Sequence, residues 1–74
     1  MFETRVMQFA DGGESAIPVG GKTLDEVKAK AIELFGKEHP LDIKSLKTGQ
    51  RLSKWNPKMG SWKDFRHNLV KEPA

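Results

Sequence analysis

Hydrophobic positions change their period along this chain, and the change marks out its elements. Between Thr23 and Gly36 apolar residues recur at steps of three and four, at Leu24, Val27, Ala31, Leu34 and Phe35 with Ile32 at the margin, while Lys30, Glu33 and Lys37 lie opposite. That is the 3.6-residue period of a helix with one apolar face. Thr23 followed three residues later by Glu26 is a capping box, in which the Thr hydroxyl takes the amide of residue 26 and the Glu carboxylate reaches back to the cap. Asp25 and Glu26 sit where the helix dipole favours anions. Gly36 offers a left-handed stop, Lys37 complements the carboxyl end, and Pro40 prevents continuation. The spacing predicts a helix over residues 23 to 36.

On either side the pattern is that of short strands. Phe2 to Ala10 reads as a strand, Asp11, Gly12 and Gly13 as a tight turn, and Glu14 to Val19 as a short returning strand that Pro18 marks as an edge. Gly20 and Gly21 release the chain into the helix cap. After the helix, Asp42 to Lys47 and Gln50 to Trp55 read as strands about a Thr48–Gly49 turn, and Ser61 to Arg66 returns after the loop from Asn56 to Gly60. The order is β-β-α-β-β-β, an α+β domain with a single helix packed on a small antiparallel sheet. Its expected core is Val6, Phe9, Ile17, Leu24, Val27, Ala31, Leu34, Phe35, Ile43, Leu46, Leu52 and one or both tryptophans. One domain is expected over 1–74, ordered to residue 67, with a loose tail over 68–74 that Leu69 and Val70 are placed to anchor. An edge strand near Pro18 or at the N-terminus leaves monomer and homodimer both open.

Composition narrows the setting. A 74-residue chain without cysteine has only its hydrophobic core to hold it. The lack of cysteine also removes thiolate metal sites and thiol catalysis, and a cytoplasmic location is expected. No run approaches the ~20 apolar residues of a membrane span, and no charged leader precedes an apolar stretch at the N-terminus, so neither a span nor a signal peptide is expected.

Charge sharpens the picture more than its total suggests. The net +3 is ordinary for a solvated surface, but its distribution is not. Residues 41 to 74 carry Lys44, Lys47, Arg51, Lys54, Lys58, Lys63, Arg66 and Lys71 against Asp42, Asp64 and Glu72, whereas residues 1 to 40 carry five basic and seven acidic side chains. The basic half also holds Trp55, Trp62 and Phe65. Regularly spaced cations among flat aromatics suit a phosphate backbone and its bases. Strand alternation puts Arg51, Ser53 and Trp55 on one face with Leu52 and Lys54 on the other, and sets Trp62, Asp64 and Arg66 against Ser61, Lys63 and Phe65. The candidate nucleic-acid contacts are therefore Lys44, Lys47, Arg51, Lys54, Lys58, Lys63 and Arg66, with Trp55 or Trp62 stacking or wedging. Two alternatives stand beside this reading. Both tryptophans fill the core and the lysines only solubilise, or Trp55, Met59 and Trp62 form the hot spot of a module that binds an acidic protein.

Other chemistry finds little support. Val19, Gly20, Gly21, Lys22 and Thr23 imitate the end of a phosphate-binding loop, but Ala16 stands where its first glycine belongs, and the helix cap accounts for Thr23. His39 and His67 lack the spacing that puts two imidazoles on one helical face, so no metal site is expected. The acids sit mostly in caps and turns, where capping and solvation explain them, and neither a catalytic constellation nor a cofactor is expected.

From Lys22 onward the capped helix (Thr23, Leu24, Asp25, Glu26, Val27), the following glycine and strand, the Thr48–Gly49 turn and the Gly60, Ser61, Trp62 re-entry resemble small phage-encoded proteins of strand, helix and hairpin build, including some anti-CRISPR proteins. The resemblance covers about two thirds of the chain. It implies a non-enzymatic protein that occupies a nucleic-acid or protein surface of a host complex, and it carries over no individual residues.

Overall fold

A computed structural model describes residues 1–10 and 12–70. Helix α1 spans Leu24–Phe35, where its capping signals place it. Thr23 is extended and its hydroxyl accepts from the Glu26 amide at 3.2 Å. The Glu26 carboxylate accepts from the Lys22 amide at 2.8 Å, one residue outside the cap and not from the cap itself. At the far end Gly36 takes φ 83° and ψ −177°, not the left-handed helical conformation expected but a positive-φ region that essentially only glycine adopts, and its amide donates to the Ile32 carbonyl at 2.7 Å.

Among the described residues five strands form one sheet: β1 Phe2–Ala10, β2 Gly13–Gly21, β3 Leu41–Ser45, β4 Arg51–Asn56 and β5 Ser61–Asp64, in the order β2-β1-β3-β4-β5. All pairings are antiparallel. The N-terminal strand is therefore interior, which corrects the expectation of an edge there. β2 is one edge and β5 the other, and β2 runs the full length of β1 instead of stopping at Val19. Its outer rim is blunted. Pro18 has no N–H to offer, and Lys30 Nζ donates to the Gly20 carbonyl at 2.7 Å.

A second correction is a short helix, α2 (Arg66–Leu69), which makes the order β-β-α-β-β-β-α. The β4–β5 pairing ends at Ser53 and Asp64, so the carbonyls of Leu52 and Arg51 have no β5 partner. The chain satisfies them by turning. The Phe65 amide donates to the Leu52 carbonyl at 2.9 Å, and Asn68 Nδ2 donates to the Arg51 carbonyl at 2.7 Å. Asn68 and Leu69, assigned to the tail by sequence, are thus tied to β4 and the core. Residues 71–74 of that expected tail lie outside the described residues, as does Asp11 of the first turn.

The core consists of Val6, Val19, Val27, Ala31, Leu41, Ile43, Leu52 and Trp55, flanked by half-buried Phe2, Ile17, Leu24, Ile32, Phe35, Trp62 and Leu69. α1 packs on β1 and β2, so closely that a Cβ on Gly21 would stand 3.1 Å from a Val27 methyl. Thr4 takes a core position because its hydroxyl donates to the Val19 carbonyl. Three expected core members are exposed instead. Leu34 overhangs the outer rim of β2 beside Pro18 and Gly20, where the sheet ends. Phe9 alternates with Val6 and so projects from the side without α1, and Leu46 lies beyond the end of β3. Among the described residues no helix is long and apolar enough to cross a membrane.

Candidate nucleic-acid interface

Residues directly opposite in an antiparallel pair share a face, so the register alone sorts the sheet. Val6 points toward α1, which turns Arg5, Met7 and Phe9 to the other side. Arg5 stands opposite Lys44, and Lys44 opposite Arg51. One residue along, Met7 stands opposite Asp42, Asp42 opposite Lys54, and Lys54 opposite Lys63. The side without the helix therefore carries two transverse rows, Arg5–Lys44–Arg51 and Met7–Asp42–Lys54–Lys63.

A β-bulge creates this arrangement. Ser53 opposes Ile43, yet Arg51, not Leu52, opposes Lys44, so β4 holds one extra residue at this point. Leu52 and Ser53 are both fully buried, and Arg51 is carried over to the face of Lys54. The grouping of Arg51, Ser53 and Trp55 that simple alternation predicts is thereby corrected. Arg51 goes with the cations, and Trp55 goes with the core.

Like charges directly opposite on a sheet repel, and here three such register pairs lie near one another: Arg5 with Lys44, Lys44 with Arg51, and Lys54 with Lys63. Within the rows the only carboxylate is Asp42. It is 5% exposed and engaged by Arg51 Nη2 at 2.9 Å. Glu3 and Glu14 share the face but sit at its rim, on β1 and β2. An aromatic ring does lie among the cations, and it belongs to Phe65. The Arg51 guanidinium carbon is 5.8 Å and the Lys63 ammonium 5.9 Å from its centroid.

The tryptophans lie on the α1 side. Trp55 is 7% exposed and its indole N–H donates to the Lys37 carbonyl at 3.0 Å. Half-buried Trp62 packs against it with centroids 5.4 Å apart and planes tilted by 59°. Lys28 lies 5.9 Å from the Trp62 centroid and ends in an ion pair with Asp64 at 2.7 Å. The Ser53 hydroxyl donates to the same carboxylate at 2.8 Å. Burial pushes the Asp64 carboxyl up, but the hydrogen bonds from Lys28 and Ser53 and the charges of Lys28 and Arg66 outweigh it and hold the group below the ordinary carboxylate value.

Of the residues expected at the interface, Lys44, Arg51, Lys54 and Lys63 come together on one face. Lys47 and Lys58 lie in the turns at opposite ends of β4, and Arg66 opens α2. The turn with Lys58 is held by the Asn56 side chain, whose Oδ1 accepts from the amides of Lys58 and Met59. Trp55 and Trp62 are separated from the cation face by the thickness of the sheet. Sequence reasoning left out Arg5, and it named Phe65 among the interleaved aromatics without counting it as a contact. Alternation against Val6 would have turned Arg5 outward, but only the pairing of β1 with β3 sets it beside Lys44. Among the described residues no three His, Asp or Glu side chains gather as metal ligands would. No family model, curated protein or solved structure matches this chain.

Proposed function

We propose that this protein is a non-enzymatic binding module that docks the side of its sheet without the helix on the phosphate backbone of nucleic acid, alone or within a nucleoprotein. The observation that carries the reading is that cation stands opposite cation in three register pairs across β1, β3, β4 and β5, with Asp42 already engaged by Arg51. Such pairs oppose folding, and a polyanion relieves them. Exposed backbone in a host nucleoprotein is also the kind of target that the resemblance to small phage-encoded proteins implies, and a cytoplasmic setting goes with the absence of cysteine. The competing hot spot of Trp55, Met59 and Trp62 loses its central anchor, because Trp55 is buried in the core. Docking on phosphates is weakly selective for sequence and strongly dependent on salt. Binding to labelled DNA of arbitrary sequence, measured from low to physiological salt, should fall with a log–log slope of about −3, as roughly four net cations require. A flat response, or no binding at low salt, contradicts the proposal.

A further inference from the structure

We infer that the nucleic acid taken by this face is single-stranded, with its backbone along Arg5, Lys44 and Arg51 and a base stacked at Phe65. The inference rests on the phosphate-docking reading above and goes one step further, to the form of the ligand.

The face is too broad to enter a groove. Five strands at about 4.8 Å spacing make a face roughly 19 Å across. A major groove is about 12 Å wide and admits a helix or a two-stranded ribbon. α1 lies on the other side of the sheet. A duplex would meet this face only through its outer phosphates, and that contact has use for cations alone.

The face is not made of cations alone. Phe65 continues the row Arg5–Lys44–Arg51, with Arg51 and Lys63 over its ring. Arg51 stays on Asp42, but Lys63 is on a long, exposed side chain, and drawn onto a phosphate it uncovers part of the phenyl group. At the other end of the row, a shallow depression of ≈ 420 Å³ sets Arg5 and Lys44 against the apolar side chains of Met7 and Leu46. A ring, and a depression lined in part by apolar side chains, beside phosphate contacts suit bases whose faces are free, which those of a duplex are not.

The test is fluorescence anisotropy with labelled oligo(dT), oligo(U) and a hairpin duplex of equal phosphate number, applied to the wild type, Phe65→Leu and Phe65→Trp. One or both single strands should bind at least about tenfold tighter than the duplex, and Phe65→Leu should weaken single-strand binding roughly five- to hundredfold while changing duplex binding less than about twofold. Phe65→Trp places an indole on the binding face, whose fluorescence oligo(dT) should quench and duplex should not. That readout stands even if Phe65→Leu loses its fold. Equal or tighter duplex binding, an equal loss for both forms, or no quenching in Phe65→Trp overturns the single-strand inference and leaves phosphate docking intact. Absence of salt-dependent binding to every probe overturns the docking reading itself.

Discussion

On the side of the sheet that α1 covers, polar groups meet complements. Thr4 bonds to Val19, the Trp55 indole to Lys37, and Lys28 and Ser53 converge on Asp64. On the other side Arg5, Lys44 and Arg51 stand in line, with Lys54 opposite Lys63. The two sides share a backbone and the same β-bulge, so the difference lies in which side chains the pleat sends each way. One side is arranged for the stability of the chain by itself. The other keeps like charges opposite one another that the fold does not need, and the docking proposed above would relieve them.

The largest expected effect comes from disturbing the covered side. Leu41 is fully buried between β1 and β4, and Leu41→Ala should lower stability by about 2–5 kcal/mol through lost burial and a residual cavity. Against a total of roughly 4–11 kcal/mol for a chain of this length, that is about half of the stability. Denaturant melts would read it. A loss below about 1 kcal/mol would mean that the core lies elsewhere.

Charge reversal on the open side should separate stability from binding. Lys44→Glu turns two repulsive register pairs, with Arg5 and Arg51, into attractive ones. The melting midpoint should hold or rise, by about 0.2–1 kcal/mol per pair, while nucleic-acid affinity falls for all sequences and the salt slope loses about 1 or more. If stability and binding fall together, the contrast between the two sides fails at this position.

The smallest effect concerns Asp64. Its carboxyl is held below the ordinary 3.8, so the stabilisation it contributes is in place above that pH and is lost as the pH falls through its lower folded value. The side chain is 39% exposed, and screening limits the contribution to about 0.2–1 kcal/mol. Wild type should exceed Asp64→Asn in stability at neutral pH, and the gap should close in acid. A gap that persists below the carboxylate range would assign the effect to packing instead of charge.

Local signals were legible and register was not. The helix boundaries follow from Thr23, Glu26, Gly36 and Pro40, all of which act within a few residues. The edge position of β2 was announced by Pro18. What escaped depends on contacts between distant segments. The bulge beside Leu52 exists because β3 and β4 pair unevenly, and it alone moves Arg51 to the face of Lys54. The turn of α2 answers carbonyls on β4 that only the short reach of β5 leaves open. Arg5 belongs to the less basic half of the chain, and a linear charge profile gives no reason to join it to Lys44. The basic second half thus supplied four of the cations that the fold gathers on one face, while its two tryptophans lie on the other side of the sheet.

The most direct test is an amide and indole NMR titration of the protein with oligo(dT). The shifts should concentrate at Arg5, Lys44, Arg51, Lys54, Lys63 and Phe65, with α1 and the indole N–H groups of Trp55 and Trp62 left in place. Shifts centred on α1 or on the indoles, with the open side of the sheet unmoved, would contradict the assignment of binding to that side.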